Sequence, residues 1–161
     1  TFAASPTKTD MDVTASIAIA CSVAIEDVAF GSYDALVANK ADPAKATGKI
    51  TATCTSGASG KITINEGDNK VATGDFPSTL GAPRRQMMTD QTPASGQTKF
   101  LTYSLHETDV ESSAQWNGTG GVTYVSAGAD IVKPVYGFIQ ENQATAMRGS
   151  YADSVEVNVH F

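Results

Sequence analysis

The sequence predicts an all-β protein, built as an antiparallel sandwich or barrel. Short runs of alternating apolar and polar residues recur along the chain, and turn residues separate them about every 8–12 residues. This alternation indicates strands because successive side chains of a strand point to opposite faces. No segment shows the sustained spacing of an amphipathic helix, although residues 34–46 could hold a turn or two. The 161 residues fit one domain with a substantial core.

The first strand pattern is also the longest, and it lies near the N-terminus. Met11, Val13, Ala15, Ile17 and Ile19 are spaced by two within residues 9–21, whereas most strands have about 5–6 residues. A small, polar run with a proline, residues 1–8, precedes it. The pattern predicts an amphipathic strand that follows a flexible segment, but it does not identify the sheet that this strand completes.

Seven further strand patterns follow. The second and third of them, joined by a short glycine-containing connection, are predicted to form a hairpin. Between residues 68 and 99 the composition predicts loop around one or two edge strands, with a brief apolar stretch at Met87-Met88. Pro134 predicts a strand edge or a bulge in the sixth pattern. The seven patterns are residues 22–30, 48–54, 61–65, 100–106, 122–125, 130–139 and 154–161.

Composition and charge exclude several classes of function. The net charge is −6 and charged residues make up 17% of the chain, whereas nucleic-acid binding needs clustered Lys and Arg. The same sign disfavours an anionic membrane surface, and no apolar run of about 18 residues is present to span a bilayer. The abundance of Thr, Ser, Ala, Gly, Asn and Asp is typical of secreted bacterial β-proteins. A start at Thr1 without a signal-like segment predicts a processed, mature chain.

Two cysteines, Cys21 and Cys54, allow one internal pairing. A disulfide between them is favoured, and it would contribute roughly 3–4 kcal/mol by restricting the unfolded chain. It would also place the protein in an oxidising compartment, the periplasm or the cell exterior. Two buried free thiols are the alternative, whereas a zinc site lacks ligands because both histidines are distant in sequence.

Residues that could carry chemistry are sparse. His106 and His160 both lie inside strand patterns, with His160 on the face predicted to meet solvent, and no nucleophile motif accompanies them. Asp10 and Asp12 are interpreted as a solvated face, Trp116 as a core aromatic rather than a sugar platform, and the basic pair Arg84-Arg85 as a surface ion pair. We therefore expect no catalytic residues, no metal and no cofactor.

The order of several motifs resembles the spore coat protein U domain family, which includes the pilins of archaic chaperone–usher pili. The resemblance covers Cys21 to Phe161, and His106 departs from it, since an aromatic is expected there. Its most specific part is the closing stretch, in which residues 149–161 match the pattern G-x-Y-x-D-x-V-x-V-x-V-x-aromatic. The other matching segments are residues 21–23, 30–33, 48–54, 62–67, 85–87, 101–105, 115–116 and 135–139.

The resemblance implies an incomplete immunoglobulin-like antiparallel β-sandwich, completed by donor-strand exchange. In such pilins the final strand is missing, which leaves an apolar groove beside the first and last strands. Residues 1–16 would then be the donor strand and linker, and residues 17–161 the pilin domain. The donor side chains would be Met11, Val13, Ala15 and Ile17. The groove wall, which also binds the chaperone, would be Val155, Val157, Val159 and Phe161.

The partners implied are identical subunits in a filament, a periplasmic chaperone, an outer-membrane usher and a tip adhesin subunit. The implied location is an extracellular, adhesive pilus at the cell surface, reached through the periplasm after removal of a signal peptide. Two alternatives stay open: a surface or spore coat protein outside a pilus, and a tip adhesin or lectin domain. The adhesin is disfavoured because a tip protein needs a receptor-binding domain and has no use for a donor strand.

Overall fold

The computed structural model describes residues 5–70 and 85–161. Within these ranges the chain forms β-strands and no helix, so the all-β prediction is confirmed. It follows that the described part of the chain has no helix long and apolar enough to cross a membrane. The strands are β1 (Cys21–Glu26), β2 (Ala44–Cys54), β3 (Ser59–Ile64), β4 (Arg85–Met88), β5 (Phe100–His106), β6 (Val122–Val125), β7 (Asp130–Ile139) and β8 (Val157–His160).

The strands form two sheets that enclose one core. The five-stranded sheet has the order β1-β2-β7-β5-β4, and the three-stranded sheet has the order β6-β3-β8. Every ladder between these strands is antiparallel. β1 is an edge strand of the five-stranded sheet and β8 is an edge strand of the three-stranded sheet, so the first and last strands of the domain both lie at sheet edges.

Alternation along the strands creates the core. In β2, for example, Ile50, Ala52 and Cys54 are buried, because every second side chain faces the opposite sheet. Trp116 also lies in the core, and its indole Nε1 donates a hydrogen bond to the carbonyl oxygen of Ile62 over 2.9 Å. The interpretation of Trp116 as a core aromatic is therefore confirmed.

The disulfide prediction is also confirmed. Cys21 and Cys54 are bonded with an S–S distance of 2.05 Å, and they are direct partners in the β1–β2 ladder. The bond therefore fastens the start of the edge strand β1 to the end of β2.

The predicted hairpin between the second and third patterns is wrong. Those runs became β2 and β3, which lie in different sheets. The chain crosses between the sheets at residues 55–58, where Gly57 has φ 90° and Ala58 is fully buried. Alternation reports which face of a strand is buried, but it does not identify the strand that pairs with it.

Three local predictions met different outcomes. Met87 and Met88 do form an edge strand, β4, while residues 71–84 of that loop-rich stretch, with Arg84, lie outside the described residues. Pro134 lies in β7 opposite Lys49. On the other side β5 pairs with β7 only from Tyr136 onward, so at Pro134 that flank is an edge. Residues 34–46 hold no helix; a turn is followed by β2, which begins at Ala44.

Candidate assembly site

The alternating N-terminal segment makes no strand pairing with its own domain. Residues 5–20 are exposed throughout and belong to no ladder. Met11, Val13 and Ile17 have 86%, 88% and 85% of their surface exposed, and Ala15 between them is also exposed. Although the structure assigns no strand here, side chains at this spacing would share one apolar face if the segment paired as a strand.

Thr55 marks the point at which this segment joins the folded domain. The backbone N–H of Thr55 donates to the carbonyl oxygen of Ala20 over 2.9 Å, and the N–H of Ala20 donates back to the Thr55 hydroxyl over 3.0 Å. A longer contact of 3.4 Å joins the same hydroxyl to the carbonyl of Ala18. The chain is therefore fixed from Ala20 onward.

A groove of about 1340 Å³ runs along the sandwich between the first strand and the C-terminal segment. Val23 and Ile25 of β1 line one side of it, and Val155 and Val157 line the other. Val23 and Ile25 are 44% and 52% exposed, an unusual value for side chains that face a core. Both walls thus present valine or isoleucine at every second position.

The floor of the groove is the core itself. Leu105, Val135 and Ile139 of the five-stranded sheet and Ile64 of the three-stranded sheet all line it. All four residues are nearly inaccessible to solvent. The groove is therefore a slot between the two sheets, with the dimensions of an apolar binding site for an extended segment.

The four residues expected to form the groove wall are not equivalent. Val155 and Val157 line the groove, whereas Val159 is packed against the core without lining it. Phe161, the last residue, is 63% exposed. Sequence reasoning placed the wall in the C-terminal strand and did not single out Val23 and Ile25, although both show the same alternation in the printed sequence.

A polar cluster holds the C-terminal wall in place. The Asp153 carboxylate accepts hydrogen bonds from the Tyr103 hydroxyl (2.6 Å), from the backbone N–H groups of Asp68 (3.1 Å) and Asn69 (3.2 Å), and from the Asn69 side chain (3.0 Å). Burial, and then the hydrogen bond to Asp153, raise the pKa of Tyr103, so its hydroxyl remains a donor. Gly67, at φ 85°, sits so close that a Cβ there would collide with this carboxylate.

The same end of the domain contains a buried arginine. Arg85 is fully buried, and its guanidinium donates to the carbonyl oxygens of Ile64 (3.1 Å), Asn65 (2.7 Å) and Trp116 (2.7 Å). Burial lowers its pKa to about 10, which leaves it charged at neutral pH. The interpretation of Arg85 as part of a surface ion pair is therefore wrong, because backbone carbonyls from two segments surround its side chain.

The histidines serve the fold. His160 is exposed, as expected, and its Nε2 lies 3.0 Å from the Thr63 hydroxyl. His106 is buried and lies between the Ser104 hydroxyl (2.8 Å) and the Ala114 carbonyl (3.2 Å). Within residues 5–70 and 85–161 no group of His, Cys, Asp or Glu is arranged to hold a metal ion.

Comparison with solved structures places this fold among known ones. The chain is similar to a chain of the CsuC-CsuE chaperone–tip adhesion subunit pre-assembly complex, from the archaic chaperone–usher Csu pili of Acinetobacter baumannii. The TM-score is 0.56 and the identity is 17%; the match covers 90% of this chain and 40% of the other. This chain therefore spans less than half of its structural relative. The likeness supports the immunoglobulin-like sandwich as a fold.

Sequence comparison gives the family. No curated protein is similar enough in sequence to count as a match. The model of the Spore Coat Protein U domain, however, matches residues 7–158, which includes most of the unpaired N-terminal segment, the disulfide and the first half of β8. Its members are structural domains rather than enzymes, in agreement with the sparse chemistry of this one. A match over nearly the whole chain, on a sandwich with an open groove, shows that the chain belongs to the Spore Coat Protein U domain family.

Proposed function

We propose that this protein is a structural subunit of an extracellular chaperone–usher pilus and polymerises head-to-tail by donor-strand exchange. The N-terminal segment of one copy, with Met11, Val13, Ala15 and Ile17 facing inward, would fill the groove of the next copy. One observation carries the proposal: the same chain has an exposed N-terminal segment with alternating apolar residues and an apolar slot between the edge strands β1 and β8. Each feature is the complement of the other.

Backbone pairing and side-chain burial would both stabilise the junction. A strand laid along the open edge of β8 would satisfy unpaired backbone groups and place alternate side chains in the groove, which is the β-augmentation mode of recognition. Burial of the exposed Met11, Val13 and Ile17 side chains would contribute roughly 5–9 kcal/mol before ordering costs. Because the contact is heterologous, it does not close on itself and extends into a filament.

An open groove is also a hazard before assembly. Exposed strand edges and apolar troughs promote aggregation, so the subunit would need a periplasmic chaperone to fill the groove until the next subunit arrives. The structural relative belongs to a complex of that type. The disulfide is consistent with passage through the oxidising periplasm, with an usher and a tip subunit as further partners and the cell surface as the final location.

The free donor segment favours a rod subunit over a tip adhesin, which has no following groove to fill. A coat protein outside a pilus would use the same strand and groove, so polymer shape distinguishes it. Electron microscopy of purified material should show fibres of one repeating subunit, whereas layers or amorphous sheets would favour the coat protein.

Deletion of residues 1–17 tests the mechanism. The truncated chain keeps Ala20, Thr55 and the disulfide, so it should fold, bind the chaperone and fail to polymerise. A synthetic peptide spanning residues 9–20 should then bind the truncated domain and raise its unfolding temperature, and a peptide with aspartate at positions 11, 13 and 17 is the matched control. Filament formation by the truncated chain would refute donor-strand exchange.

A further inference from the structure

A second exposed apolar surface lies at one end of the groove, on a turn between β1 and β2. Leu36 and Val37 are 72% and 79% exposed. Their backbone N–H groups both donate to Asp34 Oδ1, at 2.9 and 3.1 Å, and the Asn39 side chain accepts from the Asp34 N–H over 3.0 Å. These hydrogen bonds order the turn, which presents two adjacent apolar side chains to solvent.

The two ends of the sandwich, between which the groove runs, can be identified from contacts. At one end, Tyr124 lies 3.8 Å from both Cys21 Sγ and Cys54 Sγ and donates to the carbonyl oxygen of His160. We call this the disulfide end; β1 begins there and β8 ends there. At the other end, residues 34–36 and 148–150 line the groove. The Leu36–Val37 turn therefore lies where an inserted strand would enter or leave the groove.

The direction of the inserted strand follows from the sheets. Every ladder in the described residues is antiparallel, and a strand that continues this pattern beside β8 would run from the disulfide end toward the Leu36–Val37 turn. Its C-terminal part, Ile17, would then emerge at the turn. The domain that donates the strand begins immediately afterwards.

The connection between the two domains is too short to keep them apart. In each copy Thr55 fixes the chain at Ala20, which leaves three residue steps from Ile17, roughly 10 Å when extended. The part of the donating copy held at the turn is its own disulfide end, where Ala20 and Thr55 lie. That end also exposes an apolar side chain, Val125, at 78%, next to Ser126, whose hydroxyl bonds the Cys54 carbonyl.

We infer that the Leu36–Val37 turn is a docking surface for the disulfide end of the next copy, a contact between subunit bodies at the mouth of the groove. The inference rests on the proposed function, because the donor strand brings the two surfaces together. Apolar contact at both ends of the sandwich would restrain the angle between successive subunits without any added binding partner.

Site-specific photo-cross-linking in polymers of the full chain tests this surface. With p-benzoylphenylalanine in place of Val37, irradiation should join the turn to a peptide of residues 54–57 or 124–130 from a neighbouring subunit. With the same residue in place of Val125 the reverse product should form, and it should be lost in an L36S/V37S background whose polymers still assemble. Thr123, exposed on the same strand as Val125, is the control position and should give no cross-link to the turn.

Each outcome decides between the two proposals. Polymers that form normally but give no cross-link between turn and disulfide end overturn the docking surface and leave donor-strand exchange intact. A cross-link from Val37 to the chaperone alone, absent from polymers, assigns the turn to the chaperone and likewise overturns it. Failure of the unmodified chain to polymerise from its chaperone-bound form overturns both.

Discussion

Replacing Val13 by aspartate should block assembly while leaving the monomer intact. Val13 is 88% exposed in the free chain and lies in the middle of the inward face proposed for the donor strand. Because its side chain is almost fully exposed, the V13D chain should fold like the original. In the junction the new carboxylate would face the apolar floor of a neighbour's groove.

The size of the effect follows from burial. Loss of a valine that passes almost completely from water to the groove removes about 1.5–2 kcal/mol, and an unpaired buried charge costs several kcal/mol more. The sum, at least about 4 kcal/mol, corresponds to roughly a thousandfold weaker junction. Two cations line the groove and could offset this cost. Lys49 already pairs with Glu26 at 3.1 Å, and Arg148 lies at the turn end, away from the middle of the donor strand.

The assay is the growth of polymers from chaperone-bound subunits, followed by size-exclusion chromatography with light scattering. The matched control is T14D, which adds the same charge one residue further along, on the opposite face of the strand. V13D should leave the material monomeric, whereas T14D should polymerise close to the normal rate. Equal inhibition by both variants, or by neither, would refute the proposed facing of the donor strand.

Three further predictions concern the stability of the domain. Removal of the disulfide in the C21S/C54S chain should lower the free energy of unfolding by roughly 3–4 kcal/mol, given the loop that it closes, and urea unfolding of the oxidised and reduced chains should reproduce the difference. Replacing Asp153 by alanine should cost about 2–4 kcal/mol, because the buried Tyr103 hydroxyl loses its charged acceptor. Y103F removes only the hydroxyl and leaves the Asp153 carboxylate with its other three donors, so it should cost less in the same titration. Burial lowers the pKa of His106 below its ordinary 6.5, so on acidification the unfolded chain binds a proton at a higher pH than the folded domain does. The free energy of unfolding should therefore fall as the pH drops below 6.5. H106F should flatten that part of the pH profile, and an unchanged slope would contradict this role of His106.

The parts of the structure that depend on side-chain alternation could be predicted from the sequence. Strand positions for β5, β6 and β7 follow from period-two patterns and turn residues. The exposed N-terminal strand is also visible, because Met11, Val13 and Ile17 are spaced by two ahead of the first cysteine. The disulfide could be predicted because the two cysteines allow only one internal pairing.

Pairing between distant segments could not be predicted in this way. β2 and β3 are close in sequence but belong to different sheets, since a four-residue connection can either reverse a strand or carry it across a sandwich. Arg85 gives the clearest example. Beside Arg84 its charge favours the surface, and its burial depends on carbonyl groups of Ile64, Asn65 and Trp116, which only the folded chain brings together.

The interactions that fix the two walls of the groove explain how it can stay open without collapsing. The β1 wall is held by the Cys21–Cys54 bond to β2, and the C-terminal wall is held by Asp153 and by the pairing of β8 with β3. Neither of these interactions uses a residue of the donor segment, so both walls should keep their positions when the groove is filled. A binding site whose walls are already ordered loses little conformational entropy when it is filled. The free energy of strand insertion should therefore appear as stability of the junction, and D153A should weaken the junction because Asp153, which lines the groove, holds its C-terminal wall in place.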